Sequence, residues 1–499
     1  VRSTLIILIF ISSKLCAQVN GTWLSSGSLN LRVNADGQMA TFNGAAASEY
    51  VSGSNNHLFK FINVWISGVD AGQNLFISSN NGFNNKTDFS PGPVDTLTYA
   101  GADPANWNSI YSVTNSQIFN HRKNFRNLNY QPIAEIKNWP ASVSGRYYQY
   151  LAPFIDYDQD GKYDPLKGDY PDIVGDKACY FIVNDNYSEH KASGGQPLKI
   201  ETYGMLYTFN ELPDVVFARI YVVNRTNKHF NNVKMSIHSG IELGNANDNF
   251  IGSIPSKNVA FAYNADNNDE GHFDANQPLA GIVSLNKTSS SILYITNDTN
   301  AITGMPITPE SHRNFMNGLW KNGDILNFGN NGIGNGKPCK YVYPGSYDPL
   351  NSSENWIETG TGGERSILMN FDQNTLPSNG YISIDFAVFG KGKSNGNPYD
   401  AVNMLSNEIS TFYRGQNLGI KPITNTNAIQ LKNPILVGEN ILTNTLQNFD
   451  KIEVYNSVGQ RIKSIKMSVE NTLTIDEPGI YYISLIVENQ IITKKLIII

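Results

Sequence analysis

The sequence is short of cysteine, charge and histidine, and each shortage excludes something. Only three cysteines occur in 499 residues. None forms a CxxC pair or a Cys/His grouping, so a zinc site has no ligands at the usual spacing. Charged residues are 16% of the chain, the net charge is −6, and lysine and arginine nowhere cluster. A nucleic-acid partner is therefore excluded, because phosphate binding needs a basic face. The seven histidines are scattered, and none falls in metalloprotease spacing. No long apolar run follows the first few residues, so no transmembrane segment is expected in the mature chain. Strand–helix–strand alternation is also missing. Gly392-Lys393-Ser394-Asn395-Gly396 spells the nucleophile-elbow string but runs into Asn397-Pro398, and without a parallel α/β sheet it reads as a turn.

What the chain does have is glycine (42 residues), aromatics (11%) and abundant Asn, Ser and Thr. Its length exceeds what one core usually serves, so two or more domains are expected. The texture is short alternating runs broken by Asn, Gly, Asp and Pro. Val215–Asn224 reads as a strand buried on both faces. Val233–His238, Ser291–Ile295 and Tyr381–Phe389 read as further strands, and the strict apolar/polar alternation of the first and last predicts half-burial. Helices are expected somewhere between Pro104 and Phe125, and where Ala401, Val402, Leu405, Ile409, Phe412 and Tyr413 fall on one face. Residues 322–337 read as a Gly/Asn-rich surface loop. The fold class is mainly β: a large sandwich-like β body with a few helices over 18–418, then a polar linker at 419–427. A small C-terminal immunoglobulin-like β-sandwich follows at 428–499, with strands at Ile452–Tyr455, Leu473–Ile475, Ile480–Leu485 and from Ile491 onward.

The stretch richest in chemistry is the acidic loop 156–176. Asp156, Asp158 and Asp160 alternate and are followed by Gly161, then Asp164. With a sharp turn at the glycine, the three alternating carboxylates converge on one point. The Lys162 carbonyl and Asp164 then add further oxygens, the set a hard cation requires. The spacing matches the first nine positions of an EF-hand calcium loop and resembles the loop of thrombospondin-type calcium repeats. Position twelve is Lys167 instead of glutamate and no flanking helix pair is evident, so this is not an EF-hand. Asp169, Asp172 or Asp176 is expected to close the shell. Calcium, in a structural role, is the expected cofactor.

Elsewhere the readings stay open. Cys179 and Cys339 either form one disulfide or remain two buried thiols. His190 and Glu201 flank a Gly-rich turn, with His190 read as a surface residue. A carboxylate pair for glycoside hydrolysis would draw on Glu201, Glu242 or Asp248, though only folded spacing identifies such a pair. Exposed Tyr and Trp would instead form a sugar- or surface-binding platform.

Two resemblances add to this. Asn433-Pro434, the run Val454-Tyr455-Asn456-Ser457-Val458-Gly459-Gln460, Pro478-Gly479-Ile480-Tyr481-Tyr482 and Lys494-Lys495-Leu496-Ile497 resemble the type A C-terminal sorting domain of the Bacteroidetes type IX secretion system. Leu431-Lys432-Asn433-Pro434 departs from the family's usual Tyr-Pro-Asn-Pro. The resemblance implies that 428–499 engages the type IX machinery, crosses the outer membrane and is then removed, with release or surface attachment of the body. The body is similar to large secreted Bacteroidetes proteins without an assigned activity. The shared strings include Phe89-Ser90-Pro91-Gly92-Pro93, Trp139-Pro140, Asn249-Phe250-Ile251-Gly252, Tyr343-Pro344-Gly345, Trp356 and Gly363-Glu364-Arg365. Residues 1–17 read as a signal peptide, with Arg2 before the apolar Leu5–Ile11 and cleavage expected after Ala17. The expected protein is extracellular or on the outer-membrane surface, calcium-stabilised, and engaged in binding or adhesion to a cell-surface or glycan ligand. A secreted polysaccharide hydrolase is the alternative.

Overall fold

The computed structural model describes residues 19–141, 145–148, 151–266, 268–393, 396–416, 451–456, 461–466, 473–487 and 490–498. The expected signal peptide 1–17 and linker 419–427, together with Ser394, Asn395, Asn433-Pro434 and Ser457–Gln460, lie outside the described residues. The chain divides into two compact units, Val1–Gly415 and Gln416–Ile499.

The first unit is mainly β. Numbering only the principal strands of its two large sheets, these are β1 (Phe59–Val69), β2 (Leu75–Ser78), β3 (Lys177–Asn184), β4 (Ile200–Thr208), β5 (Val215–Asn224) and β6 (Phe230–Ile241). They continue with β7 (Asn249–Ile254), β8 (Val259–Asn264), β9 (Leu279–Ser284), β10 (Ser291–Thr296), β11 (Arg365–Leu376) and β12 (Tyr381–Lys391). One nine-stranded antiparallel sheet runs β3-β4-β5-β12-β9-β8-β7, with the short strands Ser90–Pro91 and Tyr111–Thr114 both paired to the outer edge of β3. The other sheet runs β10-β11-β6-β1-β2, also antiparallel. Met39 bridges Ile62 and so ties an N-terminal three-stranded sheet to β1.

The two sheets close on a shared core. Phe59, Ile66, Ile237 and Met369 from one meet Phe181, Ile220, Ala260 and Ile282 from the other. The gaps left between them are about 10 and 20 Å³, room for at most one water each, so the sandwich is close-packed. A long apolar run explains β5, whereas β4, all nine residues of which are buried, includes Glu201, covered because it pairs with Arg225. Strands β6 and β12 correct the half-buried expectation. Ser236 and His238 on β6, and Asp385 on β12, are buried as well, because each finds a polar partner: Asn370, Ser366 and Arg219 respectively. Alternation in sequence marks polarity, and polar groups paired with one another can still be covered.

Helix α1 (Asn115–Asn124) carries a capping box between Thr114 and Gln117. The helix α2 (Pro309–Met316) is likewise capped by Thr308. Helix α3 (Pro398–Gly415) buries Tyr399, Val402, Ser406 and Ile409 and lies against β7, β8 and β9. No helix among the described residues is long and apolar enough to cross a membrane. Cys179 and Cys339 are two buried free thiols, so the disulfide alternative is not the one adopted.

The second unit contains one four-stranded antiparallel sheet among its described residues, ordered Arg461–Lys466, Lys451–Asn456, Gly479–Val487, Gln490–Ile498. Three of these follow the expected runs, and Arg461–Lys466 is additional. Leu473–Ile475 is buried at Leu473 and Ile475 but is not a strand. An apolar, β-branched triplet signals burial without fixing pairing.

Candidate metal centre

The acidic loop hangs from a two-residue ladder in which Phe154 pairs with Pro171 and Ile155 with Tyr170. Its aromatic residues fasten it to the two helical segments that precede it, α1 and Ala134–Lys137. Tyr157 packs edge-on against Phe125 at 5.2 Å, and the Tyr163 hydroxyl donates to the Ile136 carbonyl at 2.6 Å. Two arginines of the α1 region cover the loop's rings, Arg122 over Tyr170 at 5.0 Å and Arg126 over Tyr157 at 5.4 Å. The turn expected at Gly161 is present, with φ +76°, a conformation that costs a non-glycine residue strain.

Inside the loop the five aspartates proposed for the metal separate into two groups, and the sixth residue, Lys162, turns its N–H to Asp160. Asp156, Asp158 and Asp169 each offer an oxygen, and these oxygens lie within 4.8 Å of one another. Asp169 is fully buried. Its two oxygens accept the Tyr157 and Asp164 backbone N–H groups, each at 2.7 Å. Asp156 Oδ2 accepts the Gly161 N–H at 2.8 Å, while its Oδ1 is buried with no hydrogen-bond partner. Asp160 is turned elsewhere, accepting from its own turn at Lys162 N (2.8 Å) and from Lys167 Nζ (2.5 Å). Asp164 accepts the Leu166 N–H at 3.0 Å and so caps the short 3-10 turn Pro165–Lys167. Of the three residues expected to close the shell, Asp169 is the one brought to the cluster.

The electrostatics follow from this placement. Burial pushes the Asp169 carboxyl up; its two backbone donors pull it down, and the neighbouring Asp156 and Asp158 charges push it up again. Lys167 holds the Asp160 carboxyl below the usual range, and the two carboxylates raise the Lys167 ammonium in return. Lys167 Nζ also lies 3.2 Å from Asp158 Oδ2. Thus the residue that breaks the EF-hand pattern is itself a counter-cation at the mouth of the cluster. A lysine where the closing acid belongs was the only sequence signal for this role. The three converging carboxylates can hold a metal ion.

Of the remaining candidates, Glu201 and His190 are held by structural contacts. Glu201 is buried, ion-paired with Arg225 at 2.7 Å, and accepts the Val94 N–H and the Tyr203 hydroxyl. Glu242 and Asp248 each keep one buried oxygen without a partner. Burial pushes both carboxyls up, with Lys60 pulling Glu242 down and Asp269 pushing Asp248 further up. His190, expected at the surface, is buried instead. Its two ring nitrogens face the Ile77 and Asp185 carbonyls at 2.9 and 2.7 Å. Asp88 Oδ2 lies 3.7 Å from its Nδ1. A scan against protein-family models finds no match for this chain, and neither does a search of curated proteins.

Proposed function

We propose that the chain is an exported β protein of the cell surface or extracellular medium, stabilised by calcium and acting in binding or adhesion. The observation that carries this reading is the convergence of Asp156, Asp158 and Asp169 in a loop turned at Gly161. Oxygens on opposite sides of a calcium ion stand about 4.6–5.2 Å apart, and around magnesium only about 4.0–4.2 Å. Carboxylate oxygens within 4.8 Å of one another can meet round either ion, and calcium is proposed because the alternating aspartates and the turn at Gly161 match a calcium-type loop. Calcium would take these three side chains, with the Lys162 carbonyl and water completing the shell, and would relieve the repulsion that burial of Asp169 imposes. In this reading residues 1–17 direct export, and 428–499 is a type IX sorting domain engaging that machinery. Support for the latter is the family-like strings, parts of which fall on three adjacent strands of the C-terminal sheet.

Thermal unfolding of the full chain with millimolar calcium and with chelator tests the metal reading. With calcium at about ten times Kd, linkage adds about 1.4 kcal/mol, a rise of a few degrees in Tm. Asp156→Asn/Asp158→Asn abolishes that rise. If calcium leaves Tm unchanged, the loop is an acidic turn neutralised by Lys167, and a screen for polysaccharide hydrolysis takes precedence.

A further inference from the structure

The body carries a second feature that the acidic loop does not explain. A cavity of about 340 Å³ lies between β7, β8, the start of α3 and the 345–358 segment. Its rim is open to solvent, since Ser346, Asn355, Asn397 and Asp400 are all exposed. Its floor is aromatic. Phe250 and Tyr263 meet edge to face at 5.7 Å, and the rings of Tyr347 and Tyr399 are parallel within 6°. The floor is also fixed in place. The Tyr399 hydroxyl donates to the Tyr343 carbonyl at 2.7 Å, and its ring stands edge-on to Phe261 at 4.9 Å. Gly345, at φ +58°, lets the chain pass where a Cβ would come within 2.9 Å of Tyr399. Three strings singled out in the sequence, Asn249-Phe250-Ile251-Gly252, Tyr343-Pro344-Gly345 and Trp356, meet around this hollow.

We infer that this cavity binds a neutral sugar unit of a polysaccharide or surface glycan. Aromatic faces carry partial negative charge and suit the polarised C–H face of a pyranose ring. Amide, hydroxyl and carboxylate groups on the rim suit its hydroxyls. Among the described residues no lysine or arginine lines the cavity, which argues against a phosphate or an acidic sugar. A wholly apolar ligand would strip water from Asn355, Asn397 and Asp400 without replacing its hydrogen bonds. The volume stands at the small end of ligand pockets, roughly 300–1,000 Å³, so it holds one or two sugar rings of a longer chain. Binding is favoured over cleavage because only one of the two carboxylates present is uncommitted to a buried ion pair. Glu358 is buried, ion-paired with Arg365, and accepts the Ile251 N–H at 2.7 Å. Asp400 accepts the Tyr347 hydroxyl at 3.3 Å, joining the exposed acid to the aromatic floor.

This inference rests on the binding reading above, and affinity electrophoresis of the full chain through soluble glucan, mannan and xylan tests it. The expected result is retardation by at least one of these. Tyr347→Ala weakens binding about tenfold or more and Asn355→Ala several-fold, whereas Tyr381→Ala, a 61% exposed tyrosine elsewhere on the body, changes nothing. If Tyr347→Ala unfolds, Asn355→Ala alone decides. Undiminished binding by both pocket variants overturns the assignment of this cavity but leaves a binding protein. No retardation of the native chain by any of the three polysaccharides overturns the sugar assignment. Release of reducing ends overturns binding without catalysis.

Discussion

The body is expected to lose stability in mild acid because of two buried histidines. His238, on the central strand β6, and His312, on α2, both face the ring of Trp65, with centroids 4.5 and 5.0 Å away. Each ring has one partnered nitrogen: His238 Nε2 meets Ser366 Oγ at 2.8 Å, and His312 Nδ1 meets the Thr308 carbonyl at 2.9 Å. The other nitrogens, His238 Nδ1 and His312 Nε2, are buried without an acceptor. A second proton there would place a charge in the core, where burial outweighs the Asn80 and Thr308 backbone contacts that favour it. Burial accordingly holds His238 at about 3, with His312 lowering it further, and His312 at about 4, with Asp88 pulling weakly the other way.

Unfolded, both imidazoles titrate near 6.5. These are depressed groups, so their contribution is fully present above pH 6.5 and is lost as pH falls toward 4 for His312 and toward 3 for His238. At about 1.4 kcal/mol per pH unit, each has lost roughly 2 kcal/mol by pH 5. Together that is about 4 kcal/mol, against a typical total of about 5–15 kcal/mol. Asp36, Asp169 and Asp185, pushed up mainly by burial, work in the opposite sense, since raised carboxyls favour the folded state on protonation. The informative quantity is therefore a difference. Urea unfolding near pH 7.5 and near pH 5 is followed by tryptophan fluorescence, which reports the body alone because all six tryptophans precede residue 416. The native chain is compared with His238→Gln/His312→Gln. The double variant should lose about 4 kcal/mol less between the two pH values. An identical loss in both proteins would refute the reasoning, whatever their absolute stabilities.

Three further outcomes are expected. Asp385→Ala removes the carboxylate that Arg219 meets through Nε and Nη2 at 3.0 and 2.8 Å. Leaving that buried charge uncompensated costs roughly 3–5 kcal/mol in urea unfolding, and a cost below about 1 kcal/mol would show that Arg219 relaxes to solvent. Cys179 and Cys339, both buried with thiols pushed up to about 12, should resist thiol reagents until the body unfolds, and reductant should leave Tm unchanged; a reductant-lowered Tm would mean that they are bridged. Lys167→Gln removes the ammonium beside Asp158 and Asp160 and should tighten calcium binding in a direct titration. Unchanged or weaker affinity would count against Lys167 as a competing cation.

Which of these features was legible in sequence depends on how local its cause is. The Val215–Asn224 strand was readable because an apolar run needs no partner to predict burial, and α3 because its face recurs along one helix. Asp156 and Asp158 were readable because the residues that aim them, chiefly Gly161, lie within a few positions. Asp169 was foreseen only as one of three acids able to close the loop, because the choice is made by the Tyr157 and Asp164 N–H groups that receive it. His238 and Asp385 sat at positions whose alternation predicted solvent, yet Ser366 and Arg219, each more than a hundred residues away in sequence, supply the polar contact that lets them be covered. The aromatic cavity is less legible still, since its floor is gathered from Phe250, Tyr263, Tyr347 and Tyr399 on four separate segments. A cation loop compressed into fourteen residues leaves a pattern in the sequence, whereas a pocket assembled across a hundred and fifty leaves only isolated tyrosines. The same contrast bears on their physics. If calcium holds the loop as proposed, withdrawing it should loosen the loop, while the cavity, held by core packing, should keep its shape.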